Sequence, residues 1–202
     1  MNPIESFLKI TDIIVTKADL DESGTYKRST SIDCDGFVLI EEGLGTVKVS
    51  GSIRADHGIW AKAGSGIEAG VGIKAGWGIR AGESIKAGEG IEAGSEIKAG
   101  GSIEAGEGIE ARGGIEAGGG IKAGWGIEAS WSIKAGEGIE AGKGIQAGKG
   151  IEAKWIAVPL RIFAGLFPWR LPTAAESEIR AEIRRGTVAY GTLVERKEHE
   201  AQ

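Results

Sequence analysis

The chain has 202 residues, enough for one domain, and its 29 acidic and 24 basic side chains leave a net charge of −5. So small an imbalance argues against a chain that binds nucleic acid directly. A single cysteine, Cys34, excludes an intrachain disulfide and suits a reducing compartment. No segment has the pattern of a signal peptide or a membrane span, so we expect a cytoplasmic protein with no membrane partner.

Residues 1–46 lack a regular repeat but contain two apolar segments. The segment from Phe7 to Val15 fits either a strand or a short helix, and the run from Phe37 to Ile40 fits a strand. A repeat array needs a cover for its first unit. Because a regular repeat begins at residue 47, we predict that residues 1–46 form an N-terminal cap.

A six-residue unit, Ile-x-Ala-Gly-x-Gly, fills most of residues 47–154. Isoleucine recurs every six residues from Ile67 to Ile151, fifteen times, and alanine follows each isoleucine two positions later. Residues two apart in an extended strand point to the same side, so isoleucine and alanine should face a core and the residue between them should face water. The glycines predict a corner after each strand, with a positive φ angle.

The same phase continues backward to Ile59, Ile53 and Val47 if two extra residues near Ala63 and Gly64 form a bulge. This extension brings the number of units to eighteen. The four prolines of the chain all lie outside the region, as a hydrogen-bonded ladder requires. Residues 47–154 are therefore predicted to form one continuous ladder of short strands.

The outward charges indicate how many units make one turn, because like charges stacked about 4.8 Å apart in adjacent coils repel. Pairing the residues that follow the fifteen isoleucines at an interval of 18 gives 8 opposite and 3 like pairs. Intervals of 12 and 24 give 4 and 3 opposite pairs against 8 and 7 like pairs. The sequence thus predicts an all-β, single-stranded, three-sided solenoid with 18 residues per turn. One row then alternates in charge: Lys48, Glu68, Lys86, Glu104, Lys122 and Glu140.

Residues 155–194 repeat fragments of the unit at irregular spacing. The fragments begin at Ile162, Ile179 and Val188. We predict degenerate final coils that form a C-terminal cap, with protruding loops that include a turn at Phe167–Trp169. Residues 195–202 are strongly polar and are predicted to be a solvated tail.

The period and the glycine-rich, charged strands resemble hexapeptide-repeat left-handed β-helices and bactofilins, which are polymer-forming bacterial cytoskeletal proteins. The resemblance covers about half of the chain and is architectural. It departs from the left-handed pattern in one respect, because alanine stands where the larger aliphatic residue is usual, as in Ala69-Gly70 and Ala75-Gly76. This departure leaves the handedness open. The resemblance to bactofilins implies coil ends that pair into filaments.

The resemblance to hexapeptide-repeat proteins also implies acyltransferase chemistry with a histidine as general base. The chain has two histidines, His57 and His199, which we assign to a corner of an early coil and to the polar tail. Each is interpreted as a solvated surface residue, and two histidines cannot form a three-histidine metal site. Cys34 lies between Asp33 and Asp35, whose charges disfavour a thiolate. We therefore expect no catalytic residue, no metal and no cofactor.

One row of outward residues departs from the alternation of charge. It reads Arg54, Lys74, Glu92, Glu110, Glu128 and Gln146 at an interval of one turn. Three stacked carboxylates repel one another, and the neighbouring row shows that the sequence can avoid this arrangement. A rule that is broken locally often marks a functional site.

Corner residues beside this row add to the candidate site. Two further carboxylates are expected next to the row, and three tryptophans occupy corner positions that have no core to fill. The predicted partner-binding residues are Glu89, Glu92, Glu107, Glu110, Glu128, Trp77, Trp125 and Trp131. Exposed tryptophan is a frequent interface anchor. The alternative interpretation is a solvated acidic face on which tryptophans merely cover glycine-rich corners.

The sequence leaves three functional hypotheses open. The first is a non-enzymatic module that binds a basic or nucleic-acid-binding protein. Stacked carboxylates can imitate phosphates, so a phage-encoded inhibitor of a host nucleic-acid-binding complex is its most concrete form. The second is a bactofilin-like filament, or a smaller homo-oligomer, although the C-terminal segment resembles a cap against polymerisation. The third, an acyltransferase that uses His57, would need an oligomer that forms a cleft around that histidine.

Overall fold

The computed structural model describes residues 12–166 and 170–194. The chain is a parallel β-solenoid of about 9 turns with 18 residues per turn, which confirms the predicted architecture. At about 4.8 Å per turn, the rod is roughly 40 Å long. Helix within the described ranges is limited to two short 3₁₀ segments, Lys17–Asp19 and Ala174–Ser177. No helix in these ranges has the length and hydropathy needed to span a bilayer.

The strands are short, and most contain only three residues. In chain order they are β1 (Ile13–Val15), β2 (Ile32–Cys34), β3 (Val38–Ile40), β4 (Gly45–Val49), β5 (Ile53–Ala55), β6 (Ile59–Ala61), β7 (Ser65–Ala69), β8 (Ile73–Ala75), β9 (Ile79–Ala81), β10 (Ile85–Ala87), β11 (Ile91–Ala93), β12 (Ile97–Ala99), β13 (Ile103–Ala105), β14 (Ile109–Ala111), β15 (Ile115–Ala117), β16 (Ile121–Ala123), β17 (Ile127–Ala129), β18 (Ile133–Ala135), β19 (Gly138–Ala141), β20 (Ile145–Ala147), β21 (Ile151–Ala164), β22 (Glu178–Tyr190) and β23 (Thr192–Leu193).

Every third strand stacks, and the three stacks form three faces. The first face contains β4, β7, β10, β13, β16 and β19. The second face contains β2, β5, β8, β11, β14, β17 and β20. The third face contains β1, β3, β6, β9, β12, β15 and β18.

Identical residues stack inside the coil. Ile85, for example, is in register with Ile67 below it and Ile103 above it. The isoleucines and alanines of the repeat are buried, so the predicted core is confirmed. A single unit buries too little to fold alone, and its backbone hydrogen bonds exist only between coils. Stability therefore depends on stacking.

The two extra residues are accommodated between β6 and β7. Val47 is in register with Ile67, an interval of 20 instead of 18, and the phase below this point is kept. Gly64 in this insertion has a φ angle of +68°, which favours glycine. The predicted insertion at a corner is therefore confirmed.

Glycine is needed at the repeat corners for a different reason from the one predicted. No glycine described between Gly66 and Gly150 has a positive φ angle, so that prediction is wrong. A Cβ atom on Gly88 would lie 2.1 Å from the carbonyl oxygen of Gly70 in the preceding coil. Glycine follows alanine because adjacent coils approach too closely at that position for a side chain.

The coil continues at both ends with irregular strands. At the N-terminal end, β1 stacks under β3, and Thr25 forms an isolated bridge to Lys48 of β4. At the C-terminal end, β21 covers the last coil of the repeat, with an interval of 17 between Ile139 and Ile156. The strand β22 then stacks on β21 with several register shifts.

The recurring fragments of the C-terminal segment lie where the irregular repeat predicts. Ile162 stacks on Ile145, Ile179 on Ile151, and Val188 on Ile162. At the N-terminal end, Ile13–Val15 is a strand rather than a helix. The rest of the apolar segment from Phe7, the Phe167–Trp169 turn, and the tail with His199 lie outside the described residues.

Candidate partner-binding face

The three central carboxylates of the second face form one vertical row. Glu92 on β11 is in register with Glu110 on β14, and Glu110 is in register with Glu128 on β17. The row continues to Lys74 below and Gln146 above. All of these side chains point outward because they alternate with the buried isoleucine and alanine of each strand.

The carboxylates of this row differ in their partners. Lys74 forms an ion pair with Glu92, and Nε2 of Gln146 donates a hydrogen bond of 3.1 Å to Oε1 of Glu128. Within the described part of the chain, Glu110 makes no hydrogen bond or ion pair. The repulsion predicted for the row is therefore relieved at both ends and remains at Glu110.

The corner between the first and second faces, here called the acidic corner, carries the two further predicted carboxylates. The backbone N–H of Glu107 donates to the carbonyl of Glu89 at 3.2 Å, and that of Trp125 donates to Glu107 at 3.1 Å. Lys143 follows in the next coil, and its Nζ atom lies 4.7 Å from the centroid of the Trp125 ring. Glu89 and Glu107 thus flank the carboxylate row, with a cation–π pair above them.

The corner between the second and third faces, here called the tryptophan corner, contains Trp77 and Trp131. The Nζ atom of Lys149 lies 5.1 Å from the centroid of the Trp131 ring. The same Nζ atom lies 3.9 Å from Oε1 of Glu176 in the C-terminal segment. Trp125 and Trp131 are separated by six residues, so they flank Glu128 from opposite edges of the second face.

Trp77 differs from the other two tryptophans because it packs in an aromatic cluster. Its ring contacts His57 edge-on at a centroid distance of 4.9 Å, and it contacts Phe37 at 5.5 Å. His57 also stacks on Phe37 at 5.1 Å and is half-buried. The interpretation of His57 as a solvated side chain is therefore wrong. Its Nδ1 atom is buried and has no hydrogen-bond partner.

An open groove, here called the acidic groove, follows the rod axis along the edge of the second face. Its volume is about 940 Å³. Five predicted residues line it: Glu92, Glu107, Glu110, Trp125 and Glu128. Gly108 and Gly126 form part of its floor, and Leu160 of the last coil lines one end. Glycine leaves the space between the two rows of side chains open, which gives the groove its depth.

Trp125 and Trp131 do not act as covers for glycine. The atoms closest to a Cβ built on the neighbouring corner glycines Gly124 and Gly126 are backbone atoms of adjacent coils. Trp155 does cover a glycine, because a Cβ on Gly138 would lie 2.1 Å from its ring. The packing role suggested as an alternative therefore applies to Trp155 and not to the two exposed tryptophans.

Comparisons with known proteins add no identity to this geometry. No protein-family model, curated protein or solved structure matches the chain.

Four basic residues near the candidate site were missed in the sequence. Lys143 and Lys149 lie one turn above Trp125 and Trp131, so the interval of 18 could have revealed them. Arg112 lies beside Glu110, and Arg161 lies at the end of the acidic groove. The face is therefore acidic at its centre and basic towards both ends. Among the described residues, no group of His, Cys, Asp and Glu side chains could hold a metal ion.

Proposed function

We propose that this chain is a non-enzymatic, cytoplasmic interaction module that binds a basic protein through its second face. The observation that carries the proposal is the row of Glu92, Glu110 and Glu128 lying between two exposed tryptophans. The row concentrates negative charge on a rigid surface, and a basic partner would pair with Glu110, which lacks a cation of its own. Tryptophans at the edge would supply apolar contact area.

The partner's chemistry follows from the distribution of charge. Glu89 and Glu107 form a second acidic row beside the first, so the face presents two parallel rows of carboxylates at the spacing of the coils. A protein that binds the regular phosphates of a nucleic acid offers a complementary basic surface. This supports the more specific proposal of an inhibitor, encoded by a phage or prophage, that occupies such a surface on a host complex.

A matched pair of variants tests the proposal. The triple substitution Glu92→Gln, Glu110→Gln and Glu128→Gln removes three negative charges from the second face. A control that replaces Glu68, Glu104 and Glu140 with glutamine removes the same charge from the first face. We expect the first variant alone to lose capture of a partner from host lysate.

A competition experiment then identifies the class of partner. If the partner uses its nucleic-acid-binding surface, duplex DNA added in excess should release it from the immobilised wild-type chain. Equal capture by the two glutamine variants would contradict the binding face. Capture that DNA leaves unchanged would contradict the inhibitor and keep the interaction module.

A second candidate function is self-assembly into filaments, and the ends of the coil are the specific observation that favours it. Within the described ranges, β1 pairs only with β3 and β2 pairs only with β5, so each leaves one edge unpaired. Such edges can pair with another chain. Light scattering and negative-stain microscopy of the purified chain separate the candidates, since filaments support assembly and a discrete particle supports the module.

A further inference from the structure

The exposed large apolar side chains of the repeat are confined to the edges of the second face. Between residues 47 and 153 they are Val71, Trp77, Trp125 and Trp131, with exposures of 39%, 54%, 52% and 58%. Val71 belongs to the acidic corner, where the backbone N–H of Glu89 donates to its carbonyl at 2.9 Å. The third corner carries none of them. This distribution is independent of the carboxylates and selects the same face.

The four side chains form two pairs at two levels of the rod. Val71 and Trp77 lie in one coil and flank Lys74, whereas Trp125 and Trp131 flank Glu128. The pairs are 54 residues apart, which is three coils or about 14 Å. Glu92 lies between the two levels, in the space that all four apolar residues enclose.

A second copy of the chain satisfies the apolar pairs but not the centre. If two second faces met in antiparallel orientation, Val71 and Trp77 would meet the tryptophans of the other copy. The same alignment would bring Glu92 of each copy against Glu110 of the other. Several like-charged pairs would be desolvated together, at a cost that apolar contact at the edges does not offset.

An extended peptide also fits poorly, because it directs a single row of side chains towards the face. It could reach one member of each apolar pair but not both edges of the face. An α-helix presents neighbouring side chains three or four residues apart along two adjacent lines of its surface. After about eleven residues, or roughly 16 Å, the same side of a helix faces the rod again, close to the separation of the two levels.

We propose that the second face binds an amphipathic, basic α-helix that lies along the rod axis. Apolar side chains near its ends contact the pair formed by Val71 and Trp77 and the pair formed by Trp125 and Trp131. Lysine or arginine side chains between them pair with Glu92 and Glu110. This inference rests on the proposed function and adds the secondary structure and the residue pattern of the partner's binding element.

Three synthetic peptides of one composition class test this inference. The first is lysine-rich and helical, with two leucine pairs about eleven residues apart on one side. The second has the same composition in scrambled order, and the third carries two central prolines that prevent a helix. Calorimetric titration into the full chain should show that the first peptide binds tenfold or more tightly than the others.

Variants of the chain identify the contacts. The double substitution Trp125→Ala and Trp131→Ala should weaken binding of the helical peptide by about tenfold, as for interface anchors. Leu193→Ala, which removes an exposed apolar side chain from the last coil, should leave it unchanged. Circular dichroism of each variant verifies that the solenoid is folded.

The outcomes separate this inference from the proposed function. If the scrambled and proline peptides bind as tightly as the helical one, or the tryptophan variant binds normally, the helix proposal is overturned. The acidic face could then still bind an extended basic segment. If the Glu92, Glu110 and Glu128 glutamine variant also binds every peptide as well as the wild type does, the proposed function fails as well.

Discussion

Glu110 is stacked in register on Glu92, one carboxylate directly above the other on adjacent parallel strands. On the first face, Glu104 is instead stacked between Lys86 and Lys122. Both rows have the same backbone and the same exposure to water, so the difference lies in the choice of side chain alone. The second face gives up favourable pairing that the same repeat achieves elsewhere, which is the pattern expected of a binding surface.

Replacing the central carboxylate should stabilise the solenoid. Glu110→Lys would place a cation between Glu92 and Glu128 and should raise the free energy of unfolding by about 0.5 to 1 kcal/mol at low salt. The control Glu104→Lys would place three cations in one row and should destabilise the chain. Thermal unfolding at low and high salt measures both, and a destabilising Glu110→Lys would show that repulsion at this site is negligible.

Two glycines of the same corner should respond differently to alanine. A Cβ on Gly88 would lie 2.1 Å from a backbone oxygen of the preceding coil, whereas a Cβ on Gly90 finds its nearest neighbour at 3.5 Å. Gly88→Ala should therefore cost about 1 to 3 kcal/mol, because adjacent coils must separate. Gly90→Ala should be neutral or slightly stabilising, since it restricts the unfolded chain. Chemical denaturation compares the two, and equal effects would contradict the steric explanation.

The sequence predicted the part of the site that follows from a strict period. Once 18 residues close a turn, the stacking of Glu92, Glu110 and Glu128 is determined by position alone. The cluster of Phe37, His57 and Trp77 depends instead on side-chain rotamers and on the irregular early coils, so the period did not indicate it. The acidic groove was also missed, because its depth comes from coil geometry that a linear pattern does not contain.

The requirement for glycine at the corners shows the same limit. From the sequence, a glycine such as Gly88 suggests a residue with a positive φ angle. The structure shows that the backbone there is ordinary and that the neighbouring coil excludes a side chain. That neighbour is 18 residues away along the chain, so local reasoning about a turn could not identify the cause.

The C-terminal segment should loosen in acid because of Glu176. Two hydrogen bonds from the Arg170 guanidinium, of 2.8 and 2.6 Å, and one from the backbone N–H of Thr173 lower its pKa from 4.5 to about 2. A lowered pKa in the folded state means that the carboxylate stabilises the fold above pH 4.5. This contribution is lost as the pH falls towards 2.

The comparison that tests this prediction is the wild type against Glu176→Gln. The difference in unfolding midpoint should be largest above pH 4.5 and should disappear near pH 2. An NMR titration of the Glu176 carboxyl gives a direct readout, and Arg170→Ala should move its pKa back towards the ordinary value. A midpoint difference that is constant with pH would rule out this carboxylate as the cause.

The exposed tryptophans should contribute little to stability if they serve a partner. Trp125 and Trp131 are more than half exposed and contact mainly the lysine above them. Trp155 is half-buried, covers Gly138 and lies 4.7 Å from the guanidinium of Arg184. We expect Trp155→Ala to cost about 2 to 4 kcal/mol through lost packing.

The double substitution Trp125→Ala and Trp131→Ala should cost less than about 1 kcal/mol, the range of an exposed cation–π contact. Chemical denaturation of the two variants measures this contrast without any knowledge of the partner. Were the double variant as unstable as Trp155→Ala, its tryptophans would be structural, and the second face would lose its apolar anchors. A stable double variant leaves the conservation of surface, and not of fold, as the reason that a soluble rod exposes two tryptophans on either side of a glutamate.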